Sequence, residues 1–192
     1  MQIQEKHFRL KNGTEAVIRC PREEDIQSTL DWLYQTACET EFILRYPEEC
    51  DKYTYEGEKR LFETWNASDS ECALLCLVDG RVAAMCQVSF GKNIKTRHRG
   101  SVAITVLKEF WGLGMGTRLM EEIIAVAGSK EGVLQLELDF VEGNSRARAL
   151  YEKMGFRISG VRPNGIRLKN GTMLNEYSMI LTLKASDKER SS

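Results

Sequence analysis

The chain has 192 residues, 29% of them charged and 42% hydrophobic, with a net charge of −1. This length predicts one domain with a real core over 1–185, then a loose polar tail over 186–192. Near-neutral charge argues against a general nucleic-acid binder, and no apolar run approaches the ~20 residues of a membrane span.

Met1–His7 lacks a signal-peptide core, so a cytoplasmic protein is expected. Six cysteines occur without a Cys-x-x-Cys pair, and the two histidines, His7 and His98, lie far apart. No metal site is therefore predicted. Cys72, Cys76 and Cys86 sit in apolar runs and read as small buried hydrophobes.

Asn12-Gly13 separates His7–Leu10 from Glu15–Arg19, a hairpin pattern. After Pro21 a helix is predicted from about Glu23, with Ile26, Leu30, Leu33 and Ala37 on one face. Residues 39–58 are acidic. Pro47 and two glutamates suggest the first turn of a second helix running toward Trp65, with Leu61, Phe62 and Trp65 on its buried side. Cys72–Val78 and Arg81–Phe90 read as strands joined by an Asp79-Gly80 turn. The basic segment 91–100 reads as a solvated connection.

Residues 104–117 are the most informative stretch. A β-branched run ends at Val106. Gly112, Gly114 and Gly116 then alternate ahead of a helical stripe, Met115, Leu119, Met120, Ile123, Ile124 and Ala127. A strand, a glycine turn and a helix start can cradle a phosphate, because the helix dipole and its free N–H groups favour an anion there. The same glycines could equally make a tight turn or a close helix–strand contact. Thr117 stands where a dinucleotide fingerprint needs a small residue, and no Gly-Lys-Ser/Thr follows, so neither nucleotide loop is matched.

Gly128 reads as the end of that helix. Leu134–Phe140 alternates, with Leu134, Leu136, Leu138 and Phe140 on one face and Gln135, Glu137 and Asp139 on the other. A helix is predicted over 145–154, capped by Asn144 and ended by Gly155, with Ala147, Leu150, Tyr151 and Met154 on its stripe. Strands at Phe156–Val161 and about Met173–Leu183 follow, the second after an Asn170-Gly171 turn. The order implies an α/β or α+β fold with a mixed sheet.

Two blocks in the right order resemble the GNAT superfamily of N-acetyltransferases. Trp111-Gly112-Leu113-Gly114-Met115-Gly116 is similar to its Gln/Arg-x-x-Gly-x-Gly/Ala acetyl-CoA motif. Asn144 through Ala147, Leu150 and Tyr151 to Gly155-Phe156 is similar to its Asn-x-x-Ala-x-x-Leu-Tyr-x-x-x-Gly-Phe block. The match is good over about 72–183 and only in outline for the N-terminal helices. Trp111 replaces the usual Gln or Arg.

The resemblance implies a mixed, mostly antiparallel sheet of six to seven strands, about four helices, and a splay between the central strands that holds acetyl-CoA. Main-chain groups of Ile104, Thr105 and Val106 would pair with the pantetheine arm, and the Val106 N–H would polarise the thioester. Gly112, Gly114, Gly116 and Thr117 would hold the pyrophosphate, and the Asn144 amide would reach the cofactor arm.

Tyr151 would protonate the departing thiolate. Taken by periodicity alone, it is simply the aromatic member of an apolar stripe. For the base, Asp139 stands five residues before Asn144, as a glutamate does in some ribosomal-protein-alanine acetyltransferases. Glu41 is the other candidate, ranked second. The acidic run 39–58 could attract a cationic amine or be a solvated helix face.

The resulting expectation is acetyl transfer to a primary amine of a small molecule, or to a peptide N-terminus or lysine. No membrane or nucleic-acid partner is implied, and family relatives are often homodimers. The competing readings are a non-catalytic acyl-CoA sensor and a dinucleotide oxidoreductase.

Overall fold

The computed structural model describes residues 1–183, so the tail expected at 186–192 lies outside the described residues. Its strands are β1 (Lys6–Arg9), β2 (Glu15–Arg19), β3 (Glu71–Val78), β4 (Arg81–Phe90), β5 (Arg99–Val106), β6 (Gln135–Val141), β7 (Arg157–Arg167) and β8 (Met173–Thr182). Its helices are α1 (Ile26–Glu39), α2 (Tyr55–Ala67), α3 (Met115–Ser129) and α4 (Ser145–Lys153). The strands form one mixed sheet in the order β1-β2-β3-β4-β5-β6-β8-β7. The short edge strand β1 brings it to eight. By its packing the chain divides into two units, Met1–Gln87 with Ile104–Met120, and Val88–Ala103 with the described residues from Glu121 onward. No helix among the described residues is long and apolar enough to cross a membrane.

In the first unit a hairpin forms around Asn12-Gly13, but through a five-residue connection between Arg9 and its partner Glu15, with Gly13 rather than both residues at positive φ (87°). β2 pairs antiparallel with β3 from Val17↔Leu77 to Arg19↔Leu75. β3 is buried from Cys72 to Val78. Asp79 and Gly80 turn the chain at φ 49° and 75°, the paired left-handed conformation of a tight hairpin. The start of α1 is pinned by Asp25, which accepts from Arg19 Nη1 at 2.6 Å, Arg19 Nη2 at 2.8 Å and the Arg22 N–H at 2.8 Å. The inner face of α1 gives Ile26, Trp32 and Leu33 to a core shared with Phe62, Leu75, Leu77, Val82 and Leu107.

Two expectations for this unit are corrected. The single helix from Pro47 toward Trp65 is a short 3-10 turn, Pro47–Lys52, followed by α2. Between them the chain is extended, and the Thr54 hydroxyl accepts the Gly57 N–H at 3.1 Å, starting a new helix. This phase turns Phe62 inward and leaves Leu61 37% exposed.

In the second unit β5 and β6 pair in parallel from Arg99↔Gln135 to Ser101↔Glu137. Val102 and Ala103 prolong β5 without β6 partners, as an opening sheet requires. β8 runs antiparallel to β6 from Gln135↔Thr182 to Val141↔Glu176. β7 extends past the expected Val161 to Arg167 through two register shifts. It lies at the sheet edge, where Pro163 needs no ladder donor. α3 runs through Gly128 to Ser129, whose hydroxyl donates to the Val126 carbonyl at 2.8 Å. The left-handed glycine that follows is Gly132, not Gly128. Leu134, expected on the buried face, is 43% exposed and precedes β6.

Candidate active site

In the first unit the end of β5 runs into the glycine turn. Ile104, Thr105 and Val106 are half-buried, and Leu107 is fully buried. The Leu107 N–H donates to the Ala83 carbonyl at 2.9 Å, fixing the strand end on β4. Gly112 and Gly114 sit at φ 77° and 94°, which side-chain-bearing residues adopt only at a cost. A Cβ at Gly112 would meet nothing within 4 Å, so that position demands the conformation rather than the space. Gly116 lies within α3 without a left-handed φ. The first helical bond runs from the Arg118 N–H to the Gly114 carbonyl at 3.1 Å. Helix geometry therefore aims the amides of Met115, Gly116 and Thr117 out of the helix start. Met115 itself is buried, so only its main chain can serve a ligand. The turn fits an anionic group such as a pyrophosphate.

Two bonds hold this turn. Trp111 gives its indole Nε1–H to the Val106 carbonyl at 2.8 Å. Lys11, in the first hairpin turn, gives its main-chain N–H to the Leu113 carbonyl at 3.1 Å. The indole N–H of Trp111 is thus committed within the protein.

The acidic run does not form one face. Glu39, near the end of α1, accepts the Lys108 N–H at 2.7 Å and the Gln35 amide at 2.9 Å. Glu49 accepts the Tyr46 N–H at 2.7 Å. Glu41 and Glu56 are exposed, and Glu58 is buried. Burial pushes the Glu58 carboxyl above its ordinary pKa, while the Arg45 charge acts in the opposite sense.

In the second unit Asn144 caps α4, its Oδ1 accepting the Ala147 N–H at 3.2 Å. This cap uses the side-chain oxygen of Asn144 and not its amide N–H groups. Gly155 follows the helix at φ 91°. Tyr151 is 6% exposed and packs between Phe140 and Phe156, each ring centroid 6.2 Å away. Asp139 is exposed and accepts the Ser178 hydroxyl at 2.6 Å. Glu137 meets Arg99 at 3.4 Å and lines an open cleft of about 190 Å³ with Ser89, Thr96 and Ser101.

Sequence reasoning missed two features. The burial of Glu58 has a signal: it lies four residues before Phe62 and seven before Trp65, hence on the inner stripe of α2. The Trp111–Val106 bond has none.

The sequence profile of the acetyltransferase (GNAT) family matches residues 32–156. A GNAT-family acetyltransferase from Streptococcus pneumoniae superposes with a TM-score of 0.82 at 26% identity, covering 88% of this chain and 99% of that one. The yncA protein of Salmonella typhimurium, solved with its cofactor acetyl-CoA, gives 0.75 at 17% identity, covering 90% and 96%. A Sinorhizobium meliloti phosphinothricin acetyltransferase in complex with AcCoA gives 0.75 at 18%, covering 90% and 91%.

Proposed function

We propose a mechanism from the premise that this chain belongs to the acetyltransferase (GNAT) family. In it, one folded chain moves an acetyl group from acetyl-CoA to a primary amine by direct attack in a ternary complex. The observation that carries the proposal is the left-handed pair Gly112 and Gly114 opening α3. The family's cofactor loop is expected to work through main-chain N–H groups, and this turn presents them.

Each residue then has a task. The main chain of Ile104, Thr105 and Val106 pairs with the pantetheine arm, and the Val106 N–H stabilises negative charge on the acetyl oxygen. The amides of Gly112, Leu113, Gly114, Met115, Gly116 and Thr117 surround the pyrophosphate. Trp111 acts on this binding from behind, through Val106. Asn144 offers its amide N–H to the cofactor arm. Tyr151 gives a proton to the departing sulfur. Asp139 and Glu41 are the candidates for the base that the sequence suggests.

Acetyl-CoA binding is the direct test. A ligand that binds only the folded state raises the melting temperature. Acetyl-CoA is expected to raise it and NAD is not; the reverse result overturns the proposal. Release of CoA thiol with a panel of polyamines, amino acids, aminoglycosides and N-terminal peptides then separates transfer from mere binding.

A further inference from the structure

Folding has buried three polar side chains in the α1–α2 layer without hydrogen-bond partners. Thr29 is 0% exposed and Trp32 4%, and among the described residues neither Thr29 Oγ1 nor Trp32 Nε1 has a partner. Glu58 is 5% exposed, and among the described residues its side chain makes no hydrogen bond or ion pair. Unlike the other two polar atoms, the Glu58 oxygens are not sealed from solvent. Arg45 is the cation that reaches it, and it acts through space. The Arg45 donors go to the Leu33 carbonyl at 3.1 and 3.2 Å and to Thr36 Oγ1 at 2.6 Å.

An uncompensated buried carboxylate weakens a fold, so its presence calls for a use. Its position suggests one. Glu58 lies one turn before Phe62 on the inner face of α2. Phe62 packs in the cluster that contains Trp32, Leu33 and Leu107, the residue directly after Val106. Glu39 ties the end of α1 to Lys108 at the same place. The core beneath the helical layer that carries Glu58 thus includes the residue that follows the strand end assigned to the thioester.

We infer that Glu58 is the carboxylate that meets the ammonium group of the acceptor and takes its proton. The inference rests on the acetyl-transfer reading above. The ammonium N–H bond breaks, its electron pair stays on nitrogen, and an O–H bond forms on Glu58. The neutral nitrogen forms a C–N bond to the acetyl carbon as the C–S bond breaks. The sulfur takes a proton from its donor, and the new amide nitrogen returns its surplus proton to that donor. Glu58 finally releases its proton to water. Asp139 and Glu41 are less suited: both are exposed, and Asp139 already accepts the Ser178 hydroxyl. A largely buried carboxylate is the stronger base, and the Glu58 oxygens still reach solvent, where the proton can leave.

The test compares the wild-type chain with Glu58→Gln, using acetyl-CoA and an amine panel of spermidine, kanamycin, glycine and an alanine-initiated peptide. Glu58→Gln is expected to fold, to melt no lower than wild type, and to bind acetyl-CoA within about two-fold. Its turnover at pH 7 should fall by about 10²–10³. That residual rate should climb roughly tenfold per pH unit toward the pKa of the acceptor, as water does the deprotonation, while the wild-type rate levels off earlier. A Glu58→Gln enzyme with the wild-type rate and pH profile overturns the assignment and leaves the acetyl-transfer reading intact. A wild-type chain that binds acetyl-CoA but acetylates no amine overturns both.

Discussion

The indole N–H of Trp111 donates to the main-chain carbonyl of Val106 across 2.8 Å. This bond joins the last residue of β5 to the start of the glycine turn, so the two proposed cofactor contacts cannot move independently. Trp111→Phe keeps an aromatic side chain, smaller than the indole, and deletes the bond. A neutral hydrogen bond contributes about 1 kcal/mol, so acetyl-CoA should bind roughly five-fold more weakly by titration calorimetry. Unchanged affinity would mean that the turn is held well enough by the Lys11–Leu113 contact alone.

Tyr151→Phe preserves the packing against Phe140 and Phe156, since only the hydroxyl is removed. If the phenol is the proton donor, kcat should fall by about 10²–10⁴-fold while acetyl-CoA binding stays close to wild type. Steady-state kinetics with any working amine decides it, and an unchanged kcat ends that role.

Two glycines should respond to alanine with opposite signs. Gly112→Ala forces a Cβ into a left-handed conformation and should cost about 1–2 kcal/mol, with acetyl-CoA affinity falling as well. Gly128 lies in the last turns of α3 with open space where a Cβ would go. Gly128→Ala should stabilise by about 0.5–1 kcal/mol. Chemical denaturation measures both.

Cys20 should be the unusually reactive thiol. A hydrogen bond from the Cys72 thiol, helped by the Ile3 N–H and the Arg19 charge, outweighs burial and holds Cys20 down to about 6. A lowered pKa stabilises the fold above the ordinary thiol range, and that contribution is lost as pH falls through about 6. Iodoacetamide should therefore label Cys20 at pH 7 faster than an ordinary thiol, and Cys72→Ala should slow that reaction. Burial pushes Cys76 up to about 12 and Cys86 higher still, so both should stay unlabelled in the native chain. Peptide mass spectrometry separates these thiols from the exposed Cys38.

What was legible in the sequence was local. Asn144 caps α4 and Gly155 ends it because both tasks depend on residues within one helical turn. The Asn12-Gly13 and Asp79-Gly80 turns follow for the same reason. The glycine turn was legible as an anion cradle because its conformation is written in the glycines themselves. The break at Tyr53–Thr54 was not, because Pro47-Glu48-Glu49 is an equally good helix start and only the Thr54–Gly57 bond shows that a second start prevails. Leu61 and Leu134 misled because an apolar residue carries no mark of which way its element will turn. Glu58 was hidden by composition. Among so many carboxylates, only the phase of α2 distinguishes the one that folds inward.

The bond from Lys11 to Leu113 joins two points about a hundred residues apart in the chain. A growing polypeptide therefore makes the support for its glycine turn long before it makes the turn. During synthesis the first hairpin can be folded and waiting when residues 112–116 emerge. A product started downstream of that hairpin would keep both signature blocks yet lack the brace beneath the first of them. Matching the motifs would not distinguish it from the full chain, but protease sensitivity at the turn would.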